Sequence, residues 1–250
     1  NQLNVFENAK MLYIKKQFVP SIQLFEECIA RNKHPNLNFE CALYIALSRI
    51  KLDKKYAQIE LAKLIRTQPD HNLSDEIYLE LALHYFDKEN FNRSKAYFDK
   101  INILDLPKER RDEFTFKKGY ALFKNNEYMK AKHEFIKLMN SDGPYYIEAN
   151  YYYGYQCYIL KDFDCAMVTF TKIGDKGPKT MQLYLAQMHY ENEDYEKAFT
   201  IVKNLKLSKQ QNEIELLIGK IQYQLGHKNI ALNHFEKYKG NILKLSSDEL

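Results

Sequence analysis

The sequence predicts an all-α solenoid of about seven antiparallel helix pairs, and three observations carry that expectation. The first is the spacing of prolines, which apart from Pro20 fall at positions 35, 69, 107, 144 and 178. Proline lacks the backbone N–H and clashes with the preceding turn, so evenly spaced prolines mean helices of one repeated length. The second is a beat of small residues, Ala82, Gly119, Gly154, Ala186 and Gly219. Twelve positions after each comes another small residue, Ser94, Ala131, Ala166, Ala198 or Ala231, and four further on a large one, Phe98, Phe135, Phe170, Val202 or Phe235. The third is composition. Only 8 glycines and 6 prolines in 250 residues leave little turn chemistry for an all-β fold, while a 45% hydrophobic, 28% charged chain can bury a core.

Two helices packed closely explain this beat. Small side chains on both let the backbones approach, and the large residue fills the groove beside them. Four pairs place an aromatic three residues before the second small position, at Phe91, Tyr128, Phe163 and Tyr195, with Lys228 there in the last. Polar turns lie between the helices, as in Lys88-Glu89-Asn90, Asn125-Asn126-Glu127 and Asn192-Glu193-Asp194. The first pair (Ala9, Leu12, Phe18, Ser21, Phe25) fits the pattern. The second departs near Tyr56 and Ala57, where the spacing runs about one residue short and Leu61 replaces the aromatic. Ser74 ahead of Asp75 and Glu76 reads as a helix cap, and Asn212 with Glu215 as a capping box.

These residues resemble the tetratricopeptide repeat (TPR) family, whose unit is a helix–turn–helix of about 34 residues. The motif stands as Gly119, Leu122, Tyr128, Ala131, Phe135 and Pro144, and again as Gly154, Phe163, Ala166, Phe170 and Pro178. The resemblance implies a right-handed superhelix occupying 1–250 as a single solenoid, with repeats near 1–34, 36–70, 74–107, 112–144, 147–178, 179–209 and 212–243. The closing Ser246-Ser247-Asp248-Glu249-Leu250 repeats the Leu73-to-Ile77 pattern, so a further helix is expected and the chain reads as a fragment of a longer array.

Several function classes are disfavoured. A net charge of +4 without basic runs argues against nucleic acid, and no apolar stretch reaches the roughly 18–20 residues of a membrane span. Cys28, Cys41, Cys157 and Cys165 lack zinc-type spacing and read as buried thiols, with Cys28–Cys41 as the pair best placed for a disulfide. His227 and His234 lack a third converging ligand, and His84, His133 and His189 share no phase. No nucleophile, metalloprotease or P-loop pattern appears, so neither catalysis nor a cofactor or metal is expected. The sequons at Asn72 and Asn92 share their serines with capping and packing roles.

The resemblance implies that the first helix of each pair lines a concave groove. Its inward residues are Leu79, Leu83 and Phe86, then Phe116, Tyr120 and Phe123, then Tyr151, Tyr155 and Tyr158, with Leu183, Gln187 and Tyr190 following. That aromatic trough suits an extended peptide or a partner helix, since Tyr and Phe give large contact area with few rotatable bonds. The lysine, asparagine and arginine clamp of chaperone-binding TPR domains is not matched at these positions. The expected function is a protein-interaction scaffold or adaptor, similar in architecture to bacterial cell-envelope TPR proteins. The alternative is a sensor-type protein taking a small ligand or signalling peptide, for which Lys10, Lys220 and Gln187 are the inner polar candidates. Residue usage leans towards a periplasmic or cell-envelope location over a cytoplasmic one, and homodimerisation through the array ends is a further expectation.

Overall fold

The computed structural model describes residues 2–31 and 35–238. It is built from fourteen α-helices, with no strands among the described residues. They are α1 (Gln2–Ile14), α2 (Phe18–Ala30), α3 (Pro35–Lys51), α4 (Ala57–Thr67), α5 (Ser74–Asp87), α6 (Phe91–Phe98), α7 (Lys108–Lys124) and α8 (Tyr128–Ile136). There follow α9 (Tyr146–Ile159), α10 (Phe163–Ile173), α11 (Thr180–Glu191), α12 (Tyr195–Val202), α13 (Gln211–Gln224) and α14 (Lys228–Lys237). Packing divides the chain into two compact units, 1–134 and 135–250, with the division inside α8. Within each unit the first helices of successive pairs also touch, α1 with α3, α3 with α5 and α5 with α7 in one, α9 with α11 and α11 with α13 in the other. The expected helix after Ser246 lies outside the described residues.

Each hairpin closes in the same way. Lys16, Asp53, Glu89, Asn126, Lys161, Glu193 and Gly226 all have positive φ, and each stands seven residues after its pair's small residue. The following N–H then reaches back five residues, from Gln17 to Leu12 O, Asn90 to Tyr85 O, Asp162 to Cys157 O and Asp194 to His189 O at 2.8–2.9 Å. This is the Schellman ending, which satisfies the last carbonyls of the first helix and turns the chain into the second. Only the seventh pair uses glycine there. The irregular second pair shows its physical origin at this point: Tyr56 adds a further left-handed residue (φ 67) before α4 begins at Ala57.

The small positions sit at the helix crossings. Ala9, Ala82, Ala131, Ala166, Ala186 and Ala198 are 0% exposed, and so are Phe25, Phe98, Phe135, Phe170 and Val202. Where serine replaces alanine its hydroxyl is satisfied across the hairpin, Ser21 donating to Ala9 O and Ser94 to Ala82 O, both at 2.9 Å. A buried hydroxyl without a partner would carry a full desolvation cost. Gly154 has no room for a side chain, because a Cβ there would lie 2.6 Å from the Phe170 ring.

Two capping expectations are corrected. Ser74 is the first helical residue rather than the cap, and its hydroxyl donates to Pro69 O at 2.6 Å. Asn212 is not a cap either, since α13 starts at Gln211; Glu215 accepts from Gln211 (3.0 Å) and lies 2.8 Å from His234. Both sites had an alternative partner within reach, and a sequence pattern does not rank partners. The cysteine expectation is also corrected: Cys157 on α9 is joined to Cys165 on α10, while Cys28 and Cys41 are free and buried.

Two stability outcomes follow from these contacts. Gly154→Ala gains helix propensity of about 1 kcal/mol but overpacks against Phe170 by about 1–3 kcal/mol, so a net loss of up to about 2 kcal/mol is expected in urea titration. The loss shrinks in a Phe170→Leu background, because the two positions share the same space. Glu89→Gly removes a left-handed strain of about 1–2 kcal/mol at the cost of about 0.5–1 kcal/mol of chain entropy, and its unfolding free energy in urea titration is expected to rise by the difference, up to about 1.5 kcal/mol.

Candidate functional site

The first helices of the two units carry different chemistry. In residues 135–238, α9, α11 and α13 line a solvent-open groove of about 550 Å3. Its apolar wall is Tyr158, Phe163, Tyr190, Leu216 and Leu217, and its polar groups are Gln187, Lys161, Lys220, Glu191 and Glu213. Tyr158 donates its hydroxyl to Gln187 Oε1 at 2.6 Å, which orients the amide of this groove-lining residue. Lys161, Lys220, Glu191 and Glu213 form no ion pairs among the described residues.

Behind this wall runs a continuous stack of tyrosines. Tyr151 and Tyr155 stack at 6.2 Å, Tyr155 and Tyr158 at 6.2 Å, and Tyr158 packs on Phe163 at 6.1 Å. Tyr184 on α11 bridges them, with its ring centroid 5.1 Å from Tyr155 and 4.8 Å from Tyr158. Burial raises the phenol pKa of Tyr158, Tyr184 and Tyr190, with neighbouring tyrosines adding to the effect, so these hydroxyls remain neutral donors. Tyr190 packs against Tyr195 at 5.5 Å.

In residues 2–134, α3, α5 and α7 with the α1–α2 turn line a groove of about 740 Å3 in which most of the lining residues are charged. Glu80, 7% exposed at its side chain, is paired with Lys51 and with Arg110, the latter at 3.1 Å. Arg110 reaches Glu113 at 3.0 Å, Lys117 reaches Glu113 at 3.4 Å, and Lys88 reaches Asp53 at 3.3 Å. Burial opposes the charge on Arg110, but Glu80 and Glu113 outweigh it and hold the guanidinium above its ordinary pKa. His84, on the same groove, is lowered by burial and by Lys88 and stays neutral.

The sequence-selected residues are distributed unevenly. Leu79 (1% exposed) and Phe116 (9%) are buried in the core, and Leu83 (7%) is buried with its remaining surface on the ionic groove. Phe86 and Tyr120 are half-buried and pack together at 5.4 Å beneath Lys117 and Lys124, while Phe123 packs on Tyr128 at 5.6 Å. Tyr151 and Tyr155 are half-buried behind the groove that Tyr158 and Tyr190 line directly. On α5 the groove-facing residues are Glu80, Leu83, His84 and Asp87, one register away from Leu79 and Phe86. On α11 the groove residues are Gln187, Tyr190 and Glu191, with Leu183 in the core at 0% exposure and Tyr184 in the stack behind the wall. Glu80, Arg110 and Tyr184 were missed; the available signal was polar or tyrosine residues recurring beside the most apolar stripe. Lys10 lies over the Phe6 ring at 5.4 Å. His227 contacts Gln222 and His234 contacts Glu215, both at 2.8 Å, so the two histidines are held by different partners.

No family model and no curated protein matches the sequence. Solved structures do match. A tetratricopeptide repeat protein from Parabacteroides merdae is 13% identical, with 97% of this chain and 94% of that one covered and a TM-score of 0.55. Pseudomonas aeruginosa PilF is 14% identical over 84% of this chain and 94% of its own, with a TM-score of 0.57. RapI in its apo form is 13% identical over 94% and 95%, with a TM-score of 0.51. At such identities the likeness speaks to fold, and the chain has the fold of the tetratricopeptide-type helical-repeat solenoids.

Proposed function

We propose that this protein is an interaction scaffold whose α9–α11–α13 groove takes an extended peptide segment of a protein partner. The observation that carries this reading is the pairing of Tyr158 with Gln187 across two helices. It fixes the Gln187 amide beside an aromatic wall, where its nitrogen would serve as a donor to the groove. A peptide backbone offers carbonyls to such a donor, and an apolar or aromatic side chain fits between Tyr158, Phe163 and Tyr190. The rim carries two uncompensated cations and two uncompensated anions, so charge on the flanking residues of the peptide would set register more than affinity. Preorganised tyrosines lose little conformational entropy on binding.

The ionic groove of the other unit supports a structural role instead. Its charges are already joined to one another, and any ligand would have to displace those pairs. An open groove also favours a chain-like partner over the small ligand of a sensor, which calls for enclosure. A cell-envelope setting rests only on residue usage and remains part of this proposal.

Selection of binders from a displayed random peptide library tests the reading without a known partner. Peptides bound by the wild-type chain are expected to lose about tenfold or more in affinity against a Tyr158→Ala, Tyr190→Ala variant that melts like the parent. Peptides that bind both proteins equally would remove the groove from the proposal. Glu80→Gln serves as the contrasting variant. It leaves a buried network half-satisfied, which costs about 3–5 kcal/mol for fully buried pairs, but Lys51 and Arg110 are a third exposed, so about 1–3 kcal/mol of destabilisation is expected. Its peptide affinity is expected to match the wild type.

A further inference from the structure

The α9–α10 hairpin carries three groups with metal-ligand chemistry at one point. The Cys157 and Cys165 sulfurs and a carboxylate oxygen of Asp162 all lie within 4.8 Å of one another. The hairpin ending described above produces this placement: the Asp162 N–H bonds back to Cys157 O at 2.9 Å, fixing the one residue against the other. Asp162 then caps α10, its Oδ1 accepting from the Cys165 N–H at 3.2 Å, and its second oxygen is left for another partner. Cys157 is buried at 4% exposure, Cys165 is half-buried and Asp162 is exposed, so an ion could enter from the Asp162 side.

We propose that the dithiol form of this hairpin binds a thiophilic divalent cation such as zinc, through Cys157, Cys165 and Asp162 with a water completing the set. Tetrahedral zinc holds sulfur at roughly 2.3 Å and carboxylate oxygen at roughly 2.0–2.2 Å, which spaces the ligand atoms roughly 3–4 Å apart. The three groups meet that spacing with small side-chain rotations once the sulfurs are no longer bonded. Two thiolates and a carboxylate carry three negative charges against two positive ones, leaving a site of low net charge beside the exposed Lys161.

The disulfide and the metal are alternative closures of one hairpin. A dithiol reductant delivers two electrons and two protons to the Cys157–Cys165 bond, giving two thiols while the reductant becomes a disulfide. The cation then displaces the two thiol protons, which leave to solvent. Reoxidation by a disulfide oxidant re-forms the Cys157–Cys165 bond and expels the ion, while the oxidant takes the two electrons with two protons from solvent and becomes two thiols. Either closure ties Tyr158 and Phe163, the immediate sequence neighbours of Cys157 and Asp162, into the packing that sets their rings 6.1 Å apart. The metal site itself does not depend on the peptide-binding reading.

Cobalt(II) titration of the whole chain, reduced with a dithiol and desalted without air, tests the site through its thiolate-to-cobalt absorption, followed by displacement with zinc. One equivalent bound by the reduced protein and none by the oxidised protein is expected. Cys165→Ser should abolish the absorption, and Asp162→Asn, which keeps a capping side chain, should weaken binding about tenfold or more. No absorption in the reduced protein overturns the proposal, as does absorption that survives oxidation or Cys165→Ser, since Cys28 and Cys41 would then be its source. Unchanged affinity in Asp162→Asn overturns the three-ligand site. The oxidised-against-reduced comparison needs no variant, so a variant that fails to fold leaves the test intact.

Discussion

The structure depends on how closely two helix backbones can approach within each hairpin. Ala or Gly on the first helix faces Ala or Ser on the second, and the ring four residues on closes the space beside them. That close approach fixes the distance over which the turn must operate. A short turn can reverse the chain over such a gap only by placing one residue in the left-handed region, and six of the seven hairpins do so without glycine. The strain is accepted because the Schellman hydrogen bond and the buried ring together outweigh about 1–2 kcal/mol per turn.

This dependence explains why so much of the fold was legible in the sequence. Small residues, the ring sixteen positions on and the stopping prolines are direct consequences of the crossing, so they recur wherever the crossing does. The second pair was readable as an irregularity at Tyr56 for the same reason, though its form, an added left-handed residue, was not. What escaped detection was the choice among competing partners. Ser74 had Pro69 O within reach, Glu215 had His234, and Cys165 had Cys157 on its own hairpin. Composition and spacing name the groups that can bond; the fold decides which of them meet.

The groove was legible only as a set of helices, and the reason is geometric. A helix in this architecture buries one stripe in its own hairpin and another against the next pair, so its most apolar residues are claimed by the core. Leu79, Leu183 and Phe116 went there. Residues facing the groove are those the core did not claim, and they carry no shared hydrophobic signature: Glu80, His84 and Asp87 on α5, Gln187, Tyr190 and Glu191 on α11. A stripe counted from the small residues therefore includes Leu83, Gln187 and Tyr190 but passes over Glu80, His84 and Asp87.

That offset has a chemical consequence for where binding specificity can reside. In residues 2–134 the groove positions hold acids and bases that neutralise one another, with Glu80 fixed between Lys51 and Arg110. Separating such a network costs more than a single new ion pair returns, so it stiffens α3, α5 and α7 and repels apolar partners. In residues 135–238 the groove is backed by stacked tyrosines whose rings are already ordered and whose burial-raised phenols stay protonated. An apolar group entering there displaces water from aromatic faces without breaking any protein contact, and Gln187 supplies the directional bond that apolar surface lacks. The two grooves share a fold, and in the proposed reading the tyrosine-lined one takes a partner without first giving up ion pairs of its own.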